Sequence, residues 1–316
     1  MKAAVRITYG LPAVLSVQEV AKPTPNKGEV LVKVYATTVN RSDYHVLTGK
    51  PFFMKLVTGL LKPRLSITGS DFAGKIESVG ENVNRFKIGD KVMGFIDMGA
   101  QSHAEYLTIS EDKITAAPSN LTYEEVAACL EGAFYALCAV HLLKPKAGHK
   151  VLVYGATGAI GSSYVQFFKY HGVYVTAVCG GENRELVSSL GADKIIDYKT
   201  EDFTKDRERY NFVCDSVGKC SFSQCKHLLT EKGIYTSSEP NLWRLLVSFF
   251  SGNKKEIIAI PRDLIANLEV IKNLAEEGHF KPVIDRKYPL EKIKDAYTYV
   301  ATGQKIGNVI ITIHQE

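Results

Sequence analysis

The first 128 residues of this chain contain no cysteine, and no two of its cysteines are spaced CxxC. The six thiols, Cys129, Cys138, Cys179, Cys214, Cys220 and Cys225, all fall in the remainder. With no paired framework, free thiols in a reducing compartment are expected. Cys220, Cys225 and His227 are neighbours in sequence, but they read as parts of one helix rather than as a metal cluster. No Lys/Arg block of the nucleic-acid kind occurs; Lys254-Lys255 and Lys144-Pro145-Lys146 stand alone. Nor is there an aromatic and basic platform for bases, so nucleic acid is not an expected partner. The opening MKAAVRITYGLPAV lacks the sustained apolar core of a signal peptide. The longest uncharged run, Val151–Phe168, holds Gly155, Gly158 and Gly161 among hydroxyl residues, which excludes a membrane span. The apolar stretch Leu242–Phe250 is too short for one. A cytoplasmic protein without membrane insertion is expected. Repeats and low-complexity segments are lacking as well.

What is present is an ordinary globular balance. Hydrophobic residues make up 45% and charged residues 23%, which excludes long disorder. The formal charge of +5 suits an anionic ligand without demanding one. A length of 316 residues points to two domains. The first third reads as strands: Lys2–Thr8, Glu29–Thr38, Gly74–Val79, Lys91–Phe95 and Ala104–Ile109 are rich in β-branched residues and separated by turn clusters. Such short strands suggest a barrel-like β domain. Near residue 120 the pattern changes. Leu121–Leu143 has helical periodicity, and strands then alternate with helices. The strands are Val151–Tyr154, Val173–Val178, Lys194–Tyr198, Phe212–Val217, Gly233–Ser237 and Glu256–Ile260. Helices are expected over Ala159–Tyr170, Arg184–Leu190 and Asp263–Gly278. The alternation implies an α/β fold with a doubly wound parallel sheet. Strands at Lys287–Leu290 and Asn308–Ile313 would return to the first domain. The expected division is 1–120 with 285–316, and 121–284.

Val151–Tyr154 runs into Gly155-Ala156-Thr157-Gly158-Ala159-Ile160-Gly161 and then a helix. A strand, a glycine-rich turn and a helix N-terminus form the phosphate grip of a dinucleotide site. Gly158 would admit the pyrophosphate, and Gly161 would let helix and strand approach. Ala156 stands where the usual GxGxxG has a glycine. The second strand ends at Cys179-Gly180 without the Asp or Glu that reads the ribose 2′-hydroxyl of NAD; Arg184 and Lys199 follow. NADP(H) is therefore the expected cofactor.

The order of β domain, dinucleotide domain and returning tail resembles the medium-chain dehydrogenase/reductase superfamily. So do the phrases Lys27–Val34, Gly69–Gly74, Phe86–Gly94 and Leu190–Asp193. The resemblance implies a GroES-like β-barrel domain beside a Rossmann domain. Zinc members of the superfamily carry Cys where this chain has Asn40, and His-Glu where it has Ser70-Asp71. Amide and hydroxyl oxygens are poor zinc ligands, and Gly94–Glu105 lacks the structural zinc lobe's cysteines. No metal is expected. What remains is similar to the zinc-free quinone oxidoreductase branch, with its quinone and enone reductases and zeta-crystallin. That branch implies NADPH as hydride donor, a quinone or an enone/alkenal as acceptor, and a homodimer paired through the edge strand near Glu256–Ile260. The chain departs from it at Gly132-Ala133-Phe134, where the branch has Thr-Ala-Tyr.

The resemblance directs attention to Asn40, Ser42, Tyr44 and His45. Asn40 takes the former ligand position. Ser42 lies where zinc relatives carry a hydroxyl against substrate, and His45 where some relay protons. Tyr44 is a pocket wall or a donor, and Asp43 reads as structural. Without a Lewis acid, alcohol oxidation is disfavoured, whereas a conjugated acceptor needs only positioning and a few donors to its oxygen. On the cofactor side the candidates are Ala156, Thr157, Gly158, Ala159, Ile160, Gly161, Cys179, Gly180, Arg184, Tyr198, Val217 and Ser237. The segment 241–250 is a candidate pocket lid, core piece or interface, and loops such as Lys50–Leu65 would shape the acceptor pocket. Two other functions stay open: an NADPH-binding structural or regulatory protein, and an enoyl-thioester reductase.

Overall fold

The computed structural model describes residues 1–97, 99–238, 256–257 and 261–315. The segment 241–250 and residues 258–260 of the expected edge strand lie outside the described residues. The chain divides into two compact units, Met1–Glu131 with Leu264–Glu316, and Gly132–Asp263.

The first unit opens with β1 (Lys2–Val5) paired antiparallel to β2 (Ser16–Glu19). Its frame is β3 (Glu29–Val39), whose sequence EVLVKVYATTV is largely β-branched and almost wholly buried. Helices α1 (Arg41–Thr48) and α2 (Phe53–Thr58) follow. The strands β4 (Asp71–Val79), β5 (Lys91–Phe95), β6 (Tyr106–Ser110) and β7 (Ile114–Ala116) continue the sheet. Then α3 (Tyr123–Ala128) opens with a Thr122/Glu125 capping box, as its sequence dictates. The single helix expected over Leu121–Leu143 is interrupted at Cys129 and Leu130, and α4 (Glu131–Leu143) begins afresh. The break falls where the chain leaves one unit for the other, so the two halves answer to different cores.

The second unit is built on β8 (Lys150–Tyr154), α5 (Ala159–Tyr170), β9 (Tyr174–Cys179), α6 (Arg184–Ser189), β10 (Lys194–Asp197), β11 (Tyr210–Asp215), α7 (Phe222–Cys225), β12 (Leu229–Ser237) and β13 (Glu256–Ile257). The strand order is β10-β9-β8-β11-β12-β13, with every pair parallel. It reverses direction between β8 and β11, the switch point at which such sheets bind ligands. Tyr210, Tyr235, Leu152 and Leu228 fill one face of its core.

The chain then returns to the first unit through α8 (Leu264–Glu276), β14 (Ile284–Pro289), α9 (Ile293–Ala301) and β15 (Asn308–Thr312). β15 pairs antiparallel with β3, placing Val309 opposite Val39, and the sheet runs β14-β15-β3-β4-β5-β7 with β6 also on β3. Leu15, Val39 and Leu47 bury against Leu290, Ile293 and Tyr297 of the returning segment. Each such side chain contributes about 2 kcal/mol by leaving water.

Candidate active site

In the first unit the site forms where β3 gives way to α1. Asn40 caps the helix in an extended conformation, and its backbone N–H donates to Asp43 Oδ2 at 2.8 Å. The same carboxylate accepts the Ser70 hydroxyl on Oδ1 at 3.0 Å. Asn40 and Ser70 thus meet on Asp43. The Asn40 amide donates to Thr38 Oγ1 at 2.7 Å. Thr38 in turn gives its hydroxyl to Asp71 Oδ2 at 2.6 Å and its backbone N–H to Oδ1 at 2.9 Å. His103 lies fully buried beneath, with Nε2 donating to the Thr38 carbonyl and Nδ1 accepting from Thr68. Burial pulls its imidazole down to about 4, so it stays neutral.

Three acids crowd this region. Burial pushes Asp43 up to about 7, helped by the charge of Asp71. Burial pushes Asp71 up to about 6 against the pull of its Thr38 bonds. Glu131, at the start of α4, is raised well above the ordinary glutamate range by burial and by the nearby Asp43 and Asp71. Ser42 donates to Glu131 Oε1 at 2.5 Å, and Oε2 is buried without a hydrogen-bond partner. An ionised carboxylate in that position would leave a charged oxygen unsolvated; a protonated one would not. Lys305 adds a cation, lowered to about 8 by burial despite Glu131 and Asp285 nearby, with Nζ donating to the Gly307 carbonyl at 2.6 Å.

The other candidates on α1 behave differently. His45 is half-buried, and burial together with Arg41 holds it below the usual imidazole value. Tyr44 packs, partly buried, against the Leu47 and Tyr297 cluster. Ser42, Asp43 and Ser70 line a narrow recess with Leu65, Arg6 and Tyr297. Arg6 is 3% exposed; its guanidinium donates to the Val46 carbonyl, while its Nε has no partner. Sequence reading missed Glu131, Lys305 and Arg6. Glu131 did leave a signal, as a lone acid within the apolar run from Ala127 to Val140.

The second unit collects the cofactor candidates at the carboxyl ends of its strands. Ala156, Thr157 and Gly158 follow β8, and Gly158 is the N-cap of α5 with no side-chain cap. The first N–H groups of the helix, at Ala159, Ile160 and Gly161, are thus the kind that receive a phosphate. A Cβ at Gly161 would lie 2.1 Å from the Gly155 carbonyl oxygen, so helix and loop touch through this glycine. Gly132 makes a similar close approach: a Cβ there would lie 2.7 Å from Ala159. Val217 packs at Gly155, and the loop holding it is shaped by Asp215, which accepts the Val217, Gly218 and Cys220 amides. Cys179 ends β9 buried, its thiol pushed up to about 11 by burial. The Glu182 carboxylate folds back against Gly180 and pairs with Lys199 at 2.7 Å. Arg184 opens α6, Tyr198 is exposed just after β10, and Ser237 ends β12 half-buried. A bare helix N-terminus at a sheet switch point fits a dinucleotide pyrophosphate.

All six cysteines are buried free thiols. His227 turns away from Cys220 and Cys225 to donate to the Thr204 carbonyl at 2.6 Å. Among the described residues no group of three or more His, Cys, Asp or Glu side chains is arranged to hold a metal ion.

A parallel sheet of this order beside a GroES-like unit defines a dehydrogenase/reductase with a dinucleotide-binding fold. Residues 26–142 match the alcohol dehydrogenase GroES-like domain, and residues 190–311 match the zinc-binding dehydrogenase family. The chain is 32% identical to the chloroplast envelope quinone oxidoreductase homolog of Arabidopsis thaliana, over 93% of this chain and 92% of the relative. It is 31% identical to 2-methylene-furan-3-one reductase of Solanum lycopersicum, over 98% and 79% respectively. The solved quinone oxidoreductase of Coxiella burnetii superposes with a TM-score of 0.89 at 27% identity, covering 99% of both chains. The chain belongs to the quinone oxidoreductase family of medium-chain dehydrogenases/reductases.

Proposed function

We propose that this oxidoreductase uses NADPH, without zinc, to reduce a quinone or the activated carbon–carbon double bond of an enone or alkenal. The observation that carries the reading is the buried Ser42–Glu131 pair beside the former ligand positions. When bound, the reduced nicotinamide supplies a hydride, that is, two electrons and a proton. The β carbon of an enone, or a carbonyl oxygen of a quinone, takes the hydride, and negative charge develops on the conjugated oxygen. One further proton completes the enol or hydroquinone. Glu131 holds that proton near neutrality; Ser42 turns its hydrogen from Glu131 Oε1 to the acceptor oxygen, and its freed lone pair then takes the carboxyl proton. Glu131 is left as a carboxylate in the field of Lys305 and regains its proton from solvent. His45, neutral near pH 7, serves as a relay rather than a store. Asn40 and Asp43 hold the start of α1, and so Ser42, in place.

Arg184 and Lys199 at the adenosine end support NADP(H) over NAD(H). Lys199 would exchange Glu182 for a 2′-phosphate. The test is a stopped-flow screen of quinones and enals with NADPH and NADH side by side, before and after chelation. Turnover with NADPH that survives chelation is expected. Tight NADPH binding with no turnover on any acceptor would overturn the proposal, as would activity lost with the chelated metal.

A further inference from the structure

The segment after α1 is the least protein-like surface of the first unit. One side of it is fastened. Met54 and Thr58 of α2 are buried, and the Tyr9 hydroxyl bonds Thr58 Oγ1 at 2.7 Å and the Gly59 carbonyl at 2.6 Å. The Arg64 amide closes the following loop onto the Thr58 carbonyl at 2.8 Å. The other side is bare. Phe52, Phe53, Leu56, Val57, Leu60 and Leu61 are between 45% and 94% exposed. Six large apolar side chains within ten residues, three of them on α2 and the others at its two ends, exceed the scattered exposure that a soluble surface tolerates.

The charges around them have one sign. Between Asp43 and Asp71 the chain contains Lys50, Lys55, Lys62 and Arg64 and no Asp or Glu. Lys50, Lys62 and Arg64 are exposed, and Lys55 lies over the Tyr9 ring at 5.2 Å. A second copy docking isologously would set these cations against their own images. An anionic lipid surface satisfies both halves, since headgroup charge meets the cations and the acyl boundary takes the apolar side chains.

We propose that the face formed by Phe52–Leu61, rimmed by Lys50, Lys62 and Arg64, docks the protein peripherally on an anionic membrane surface. No span is involved; among the described residues no helix is long and apolar enough to cross a bilayer. The proposal is independent of the reductase reading.

Sedimentation of the full chain with vesicles tests it. Vesicles of phosphatidylcholine with about 30% phosphatidylserine should bind it on the order of tenfold more tightly than phosphatidylcholine alone. Raising salt to about 0.5 M should release it. The pair Leu56→Ser and Leu61→Ser, and separately Lys62→Glu with Arg64→Glu, should each lower binding about tenfold with unfolding temperature unchanged. No binding by wild-type protein, or equal binding to both vesicles, overturns the proposal. So does a wild-type dimer that becomes monomeric in Leu56→Ser/Leu61→Ser, which would assign the face to a second copy. The wild-type comparison stands even if a variant fails to fold.

Discussion

The two units handle charge in opposite ways. The loop Gly155–Gly161 of the second unit, the proposed phosphate grip, contains no ionisable side chain and offers only backbone N–H groups at the head of α5. The α1 region of the first unit, the proposed catalytic site, gathers Asp43, Asp71, Glu131 and Lys305, side chains whose protons are held away from their ordinary values by burial and by one another. A backbone site depends on chain geometry and tolerates little added volume. A side-chain site depends on burial and on neighbours, so it responds to pH.

The strongest way to break this contrast is Gly161→Val. Its Cβ would fall on the Gly155 carbonyl, which cannot move without disturbing β8. A loss of about 3 kcal/mol or more in stability is expected, with coenzyme binding abolished, read by urea unfolding and fluorescence titration. Survival of tight coenzyme binding would mean that the loop is not the grip. Next is Glu131→Gln, which keeps the shape and the Ser42 contact but removes the proton. Expected is a fall of about 100-fold in kcat with KM for NADPH nearly unchanged, and loss of the alkaline decline in the kcat profile. A purely packing role would leave the profile's shape intact.

A smaller effect concerns stability. Asp71 at about 6 and Asp43 at about 7 lie above the ordinary aspartate value of 3.8. Both bind protons more tightly in the fold than in the unfolded chain. Their stabilisation is therefore complete below about pH 4 and is lost as pH rises through 6 and 7. Urea unfolding should show the protein weaker at about pH 8 than at about pH 5 by on the order of 4 kcal/mol, and Glu131→Gln should reduce the difference. The smallest effect sharpens the cofactor end. Lys199→Ala should lower the NADPH-to-NADH ratio of kcat/KM several-fold, and Glu182→Gln should raise it.

What could be read in advance follows the same division. Backbone sites leave contiguous marks, so the strand, loop and helix around Gly158 were legible from Val151 to Tyr170, and the alternating strands gave the doubly wound sheet. The α1 candidates Asn40, Ser42, Tyr44 and His45 were legible only through resemblance, because no spacing rule singles them out. Glu131 is 89 residues from Ser42, and only tertiary packing makes the pair. The division of Leu121–Leu143 into two helices was hidden because both halves are apolar and helical, and no Gly or Pro marks the junction at Cys129 and Leu130.

The late pairing of β15 with β3 has a consequence for biosynthesis. A nascent chain emerges from the ribosome with Val39, Leu47 and Leu15 waiting for Leu290, Tyr297 and Ile311, which are translated only after the second unit. The dinucleotide unit, continuous from Gly132 to Asp263, is complete before they arrive. Folding during translation thus reverses the order of the units in the gene, and a stalled or truncated message leaves a sticky, half-built barrel for chaperones to hold.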